Sequence, residues 1–308
     1  MATSLEPIEP LQIAGIREHV RERRPRPPAR SLLVVPFAVV VAAAAVWAAV
    51  VDTTAPVGPG RVLCASLVIV WCVAAALVAW LRPGEPLPFV MTLGAAMGAL
   101  AVVGAAALGR DLSSSGARDA AALARAAGVA FLPACALHLT LGLPDGRLHA
   151  TGRRVLVAIG YVASAVVAVV LYGDRPSLPL VSVVVLAAVD GVVALGGFVA
   201  RGQRAPLAVR ARFLWPAWGA TVALAIGAAA AVLNALVNWP RPIGAIAVGA
   251  TVLVPISLVL GASPNLGVRI DRLLVHTITL AGLVGLVGAS YLLIVLGLGR
   301  SPDSGEQT

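Results

Sequence analysis

Long apolar stretches separated by short polar segments run along this chain from Ser31 onward. Each is close to the roughly 20 helical residues that cross a hydrocarbon core about 30 Å thick. Their apolar residues are continuous and do not alternate with polar ones, which indicates helices instead of barrel strands. The pattern therefore predicts an all-α, polytopic membrane helix bundle. Its nine predicted spans are residues 32–51, 62–81, 89–109, 122–143, 155–172, 179–200, 213–237, 243–261 and 277–299.

Polar segments flank the predicted bundle and divide the chain into three regions. Residues 1–30 are predicted to form a basic, cytoplasmic juxtamembrane segment, residues 31–300 the bundle, and residues 301–308 a polar, disordered tail. The predicted outer loops, such as residues 173–177, are too short for an extracellular ligand-binding domain. A stimulus is therefore expected to come from the bilayer, from within the bundle or from a partner membrane protein.

The charge distribution predicts the orientation of the bundle. All 23 basic residues are arginine: 16 fall on the inner side if the N-terminus is cytoplasmic, six fall outside, and Arg125 lies within a span. This bias is the one that orients membrane helices during insertion. It explains the net charge of +9 through topology and contact with anionic lipid, without nucleic acid as a partner. The sequence thus predicts a multi-pass protein of the plasma membrane whose partner is the lipid bilayer.

Three ionisable side chains within the predicted spans are candidates for intramembrane sensing or packing: Arg125, His138 and Asp190. Arg125 lies about 5 Å inside the outer end of span four and can reach the headgroups. His138 lies near the inner end of the same span. Asp190 lies about 16 Å from the outer end of span six, close to mid-membrane. Two interpretations of Asp190 stay open, a sensing or proton-binding group and a protonated, hydrogen-bonded packing residue.

Small residues recur at helical spacing in three spans, which permits close helix contacts. Such contacts serve packing within one chain or formation of a homodimer, and packing is the default interpretation in a chain so rich in alanine and glycine. The stripes consist of Gly94 and Gly98 in span three, Gly219, Ala223, Gly227 and Ala231 in span seven, and Ala281, Gly285 and Ala289 in span nine.

Signatures of catalysis and of cofactor or metal binding are missing from the sequence. It contains no Walker-type loop, no His-Glu metal pair, no Ser/His/Asp set in one compartment and no GxGxxG after a strand. Cys64, Cys72 and Cys135 fall within predicted spans and have neither disulfide nor metal spacing. We therefore expect no cofactor, no metal and no enzymatic activity from this chain alone.

One loop is distinctive, the segment Leu143-Pro-Asp-Gly-Arg-Leu148 that closes span four. Pro144, Asp145 and Gly146 are turn-forming residues, and Arg147 suits an inner-face anchor. The loop resembles the Phe/Leu-Pro-Asp-Gly-Arg-Leu motif in the polytopic N-terminal regions of bacterial sensor histidine kinases from high-GC Gram-positive organisms. Residues 265–276, with an Ile-Asp-Arg-Leu core, resemble a cytoplasmic connector of that family. Residues 210–218 are similar, more loosely, to its basic-then-aromatic entry to span seven.

The resemblance implies a function in two-component signal transduction. The chain would be the membrane-embedded sensor, or input, region of a histidine kinase, truncated before the kinase module. In that family a tenth span follows, then a helix with the phosphoacceptor histidine and an ATP-binding domain. A kinase module or a response regulator would be partners only in the full-length architecture.

The same resemblance assigns structural and not catalytic roles to the two loop motifs, which contain Pro144, Asp145, Gly146 and Arg147 in the first and Asp271 and Arg272 in the second. The alternative to a sensor region is a free-standing integral membrane protein: a scaffold, a partner subunit or a small transporter. A transporter is the weaker of these because polar groups at mid-membrane are scarce.

Overall fold

The computed structural model describes residues 29–51, 59–110, 112, 114–174, 180–203, 207–237 and 243–263, together with Thr277, Thr279 and Leu283. These residues form helices and short connections, and no strand occurs among them. The helices are α1 (Ala29–Val50), α2 (Pro59–Leu81), α3 (Leu87–Leu108), α4 (Ser115–Gly142), α5 (Thr151–Gly173), α6 (Leu180–Gly202), α7 (Leu207–Val237), α8 (Ile243–Ala250) and α9 (Leu253–Ala262).

Eight helical segments of this described part are long and apolar enough to cross a membrane, with α8 and α9 together forming the eighth. The fold is therefore an all-helical, multi-pass membrane bundle. The eight segments match the first eight predicted spans. The predicted ninth span, residues 277–299, lies outside the described residues apart from three isolated positions. Residues 1–28 and the tail, residues 301–308, also lie outside them.

Several helix bounds differ from the predicted spans by a few residues, and two differences have a clear local cause. Helix α4 begins at Ser115 and not at residue 122, because the Ser114 hydroxyl accepts a hydrogen bond from the Ala117 amide at 3.2 Å and caps the helix. The polar residues that follow Ser114 are therefore helical, although they precede the predicted span. The eighth span is divided by a turn at Thr251, whose hydroxyl donates to the Val248 carbonyl at 2.6 Å.

Glycines let α3 and α4 touch backbone to backbone. A Cβ atom at Gly128 of α4 would overlap the backbone of Ala101 in α3, and one at Gly104 of α3 would overlap the backbone of Arg125 in α4. Such close approach maximises van der Waals contact between membrane helices, where the hydrophobic effect contributes little. Helix α4 thereby becomes the central element of the bundle, with α5 and α6 packed against its other faces.

The predicted small-residue stripes face other helices of the same chain wherever the structure describes their contacts. Gly98 lies against Val68, Gly94 lies near Cys135, and Gly219 lies against Ser257 of α9. The packing interpretation is confirmed for these glycines. The third stripe lies outside the described residues, and a homodimer stays a prediction.

Candidate functional site: a cavity above a loop junction

Two connections and the ends of three helices meet at one end of the bundle, a region that we call the junction. The connections are residues 82–86 and residues 143–150, and the helix ends are those of α6, α7 and α9 that bind them or α4. Arg82 Nε donates to the carbonyl oxygen of Ala262 at the end of α9, at 2.9 Å. The backbone amide of Leu87 donates to the carbonyl oxygen of Asp145 at 3.2 Å. Segments far apart in sequence are therefore bonded directly to one another.

The Pro-Asp-Gly turn predicted from sequence forms part of the junction. Asp145 Oδ1 accepts a hydrogen bond from the Arg147 amide at 3.0 Å, as expected for an Asx turn. Gly146 has a φ of 83° and lies against the backbone of Leu87, so glycine is required by both conformation and space. The turn is confirmed, whereas its docking onto the connection between α2 and α3 was not predicted. Asp271 and Arg272 lie outside the described residues.

Arg201, near the end of α6, binds the C-terminal end of α4. Its Nη1 donates to the carbonyl oxygens of Leu141, at 2.8 Å, and Leu143, and its Nη2 donates to that of Thr140. The last carbonyls of a helix have no donor within the helix, and a cation at this end is also favoured by the helix dipole. The guanidinium lies 5.6 Å from the ring centroid of Phe213 in α7. One side chain thus joins three helices.

Arg212 of α7 makes a second set of junction contacts. Its Nη2 lies 2.5 Å from Glu85 Oε2 and donates to the carbonyl oxygen of Pro144 at 2.9 Å. The two charged side chains are about one-fifth exposed, at 18% and 21%, so solvent screens the pair only in part. Arg212 therefore binds α7 to both of the loops that pack together beneath α3 and α4.

An apolar cavity of about 360 Å³ lies directly above the junction, between α4, α6, α7 and α9. This volume is within the range of about 300–1,000 Å³ that is typical of small-molecule sites. Thr140 and Leu143, whose carbonyls bind Arg201, both line it. Phe198 of α6 lines it too and packs against Phe213 of α7, with ring centroids 5.8 Å apart. The base of the cavity is thus the Arg201-capped end of α4.

Asp190 is the one ionisable side chain among the described lining residues. It is 7% exposed, and its buried Oδ2 has no hydrogen-bond partner among those residues. A Cβ atom at Gly160 of α5 would lie 3.7 Å from Oδ1 and 3.8 Å from Oδ2, so α5 closes the site behind the carboxyl group. The cavity therefore combines an apolar lining with a single buried carboxyl group.

Two prolines weaken the helices at the level of the cavity. Pro133 lies inside α4 and Pro216 inside α7, and both line the cavity. A proline inside a helix removes one backbone hydrogen bond and is the usual place for a helix to bend. The walls contributed by α4 and α7 are therefore easiest to deform where an occupant would touch them.

The other two predicted candidates lie away from the cavity. Arg125 is partly exposed beside the crossing of α3 and α4 and forms no ion pair with Asp190. His138 Nδ1 lies 3.2 Å from the Tyr161 hydroxyl of α5, which in turn lies 3.9 Å from Cys135 Sγ. His138 thus belongs to a polar cluster between α4 and α5. Sequence reasoning missed Tyr161, because a tyrosine in a span has no unusual signal.

Arg201 was also missed as a site residue, since the sequence counted it only among the inner-side arginines that set topology. No group of three or more His, Cys, Asp or Glu side chains in the described part of the chain could hold a metal ion. Comparison with protein-family models, with curated proteins and with solved structures finds no match to this chain.

Proposed function

We propose that the protein is the membrane-embedded input region of a two-component sensor histidine kinase. It receives an intramembrane stimulus in the cavity and transmits it to the junction. The observation that supports this most directly is that the two regions share residues: Thr140 and Leu143 line the cavity and also present their carbonyls to Arg201. An occupant of the cavity therefore touches the same backbone that holds α6 to α4.

The contacts of Arg201 support the proposed transmission. Its guanidinium binds fixed positions on α4, so a displacement of α6 by an occupant must either move the end of α4 or break these hydrogen bonds. The same helix end continues into Pro144, whose carbonyl binds Arg212. A ligand shifts such an equilibrium only by its differential affinity for the two arrangements. Because α6 forms one wall of the cavity, an occupant that fits one position of α6 better than another would meet this condition.

The proposal places the protein in the plasma membrane with the junction in the cytoplasm and the N-terminus on the same side. The arginine bias supports this orientation. The junction end contains Arg82, Arg147, Arg153, Arg154, Arg201, Arg210 and Arg212, while the opposite end of the described bundle has Arg61, Arg110 and Arg118. A kinase module on the cytoplasmic side would then lie next to the loops that an occupant of the cavity would displace.

Co-reconstitution with a kinase module tests the proposal. The module to use is one encoded next to this chain, placed with it in nanodiscs and given labelled ATP. We expect phosphohistidine on the module only, at a rate that changes when Arg201→Gln loosens the junction; Arg154→Gln, which loses one exposed contact, is the control. Phosphohistidine on this chain by itself, or a rate that is the same with and without the chain, would contradict the proposal.

A small transporter is the second candidate, and the buried Asp190 in a mid-bundle cavity is the observation that favours it. A measurement of proton flux distinguishes a transporter from a sensor. Proteoliposomes containing the protein and a pH-sensitive dye should show no more proton leak than empty liposomes if the protein is a sensor. A flux that disappears in Asp190→Asn would favour the transporter instead.

A further inference from the structure

We infer that the cavity binds a lipophilic amine, with the ligand's ammonium group paired to Asp190. The inference deepens the proposed function, because it names the ligand class of the same cavity. It rests on three features of the described residues: an unpaired buried carboxyl group, an otherwise apolar lining and an opening towards the lipid-facing surface.

The carboxyl group determines the ligand's headgroup. Asp190 is more than nine-tenths buried, and its Oδ2 has no hydrogen-bond partner among the described residues. Leaving such a group unpaired in apolar surroundings is costly, and the cost is recovered when a partner supplies a hydrogen bond. The nearest arginine along α6, Arg201, directs its donors to backbone carbonyls. A ligand with an ammonium group would supply both the missing donor and an opposite charge.

The remaining lining determines the body of the ligand. It is mainly aliphatic, with Leu137, Ala194, Leu195 and Leu258 among its members. Thr140 also lines the cavity, but its hydroxyl already donates within its own helix, to the Ala136 carbonyl at 2.9 Å. A ligand thus meets one ionisable anchor and a mainly apolar wall, which suits a single amine on an alkyl chain.

The dimensions indicate a chain of medium length. Eight residues separate Asp190 from Phe198 along α6, a distance of about 12 Å at the rise of an α-helix. The cavity volume of about 360 Å³ equals about a dozen water-sized volumes. An octyl chain placed from Asp190 towards Phe198 would run down to the Arg201-capped end of α4.

The opening determines the route of entry. Leu195 of α6 lines the cavity and is 64% exposed on the outer surface, and Thr221 of α7 is another exposed lining residue. Below them α6 and α7 are joined at Phe198 and Phe213. The cavity therefore opens sideways between α6 and α7, so a lipophilic molecule can reach it from the bilayer.

Photolabelling in phosphatidylcholine nanodiscs tests the inference. The probe is an alkylamine with a diazirine on its chain, and octylamine, octanol and octanoate compete with it. We expect adducts on peptides of α4, α6 and α7, suppressed by octylamine at a concentration at least about tenfold lower than octanol or octanoate needs, since pairing with a charged group strengthens a hydrogen bond.

Two variants complete the test. Asp190→Asn keeps the shape of the side chain and removes its charge, so labelling should fall about tenfold or more; Asp174→Asn, an acid outside the cavity, should leave labelling unchanged. Leu195→Trp, at the rim, should block entry and decides the question if Asp190→Asn fails to fold. Three results would overturn the inference. Asp190→Asn could be labelled as strongly as the unaltered protein, or octanol could compete as well as octylamine. Labelling could also fail to saturate, because lipid or another part of the chain fills the cavity. Because occupancy is measured without a kinase, such a result leaves the proposed function to its own test.

Discussion

Helices α4 and α6 are held in the bundle in two different ways. Half of the membrane span of α4 is buried within the described structure, compared with 11% of that of α6. Helix α4 touches α3 backbone to backbone at Gly104 and Gly128. The strongest contacts of α6 are concentrated at its junction end, where Arg201 binds α4 and Phe198 packs on Phe213.

The difference assigns separate mechanical roles to the two helices. Backbone contacts at Gly104 and Gly128 hold the N-terminal half of α4 against α3, so we expect α2, α3 and this half of α4 to form a frame. Among the described residues, the hydrogen bonds and the ring contact that join α6 to α4 and α7 lie at its junction end, and residues of α6 between Ala187 and Phe198 line the cavity. We therefore expect α6 to pivot about Arg201. A stimulus that displaces α6 would then change the position of α6 relative to α4.

The largest expected effect is that of Arg201→Gln. It leaves up to three helix-terminal carbonyls without their charged donor, so we expect the free energy of unfolding to fall by on the order of 3 kcal/mol. Unfolding by SDS in mixed micelles measures this change. The control is Arg154→Gln, which loses one exposed bond to the Leu148 carbonyl and should cost about 0.5 kcal/mol. Equal losses in the two variants would show that α6 does not depend on Arg201.

Gly128→Ala tests the other helix. Its Cβ atom would overlap the backbone of Ala101 in α3, and backbone cannot yield as a flexible side chain can, so we expect a loss of about 2 kcal/mol. Gly196→Ala in α6 is the matched control, because nothing lies within 4 Å of the added atom. Its effect should stay within about 0.5 kcal/mol. Similar effects at both positions would remove the distinction between a packed α4 and a loosely packed α6.

Structural features that depend on a local sequence pattern could be predicted, whereas contacts that depend on how the helices pack could not. Eight spans, the Pro-Asp-Gly turn and Asp190 follow from hydropathy, turn chemistry and the cost of a charge in lipid. The contact between Glu85 and Arg212 joins residues 127 positions apart. No periodicity specifies which helix ends meet, so neither that pair nor Arg201 could be recognised. Gly104 and Gly128 likewise stand out only once α3 and α4 are seen to cross.

A double-mutant cycle on Glu85→Gln and Arg212→Gln measures how strongly the connection between α2 and α3 is bound to α7 at the junction. The pair is only partly exposed, so we expect a coupling energy of about 1 kcal/mol. The comparison pair is Asp145 with His149, which is 67% exposed and should couple by less than about 0.5 kcal/mol. Chemical unfolding of the four variants of each cycle supplies the values. Coupling no larger for the first pair would mean that the junction is held by backbone contacts alone.

The smallest expected effect is that of Tyr161→Phe, which removes the contact with His138 and leaves the ring in place. We expect a loss of about 0.5–1 kcal/mol, because the hydroxyl makes only neutral hydrogen bonds, to His138 and, at 3.9 Å, to Cys135 Sγ. Thermal unfolding in nanodiscs measures it. A much larger loss would show that α5, like α6, depends on one polar contact for its attachment to α4.

The central claim is that α6 moves against a frame fixed by α4, and spin labels measure this motion directly. One label pair reports on α6 and α7, at the exposed positions Val184 and Leu224; the other reports on the frame, at Leu123 of α4 and Val73 of α2. The labels are placed in a background without the three native cysteines, Cys64, Cys72 and Cys135.

Distances between the labels are then compared in nanodiscs with and without the Arg201→Gln substitution. The account predicts that the distribution of distances between α6 and α7 shifts or broadens in the variant, while that of the frame pair keeps its position and width. If the α6–α7 distribution stays unchanged, or if both pairs change together, then Arg201 does not hold a mobile helix to a fixed one and the account is wrong.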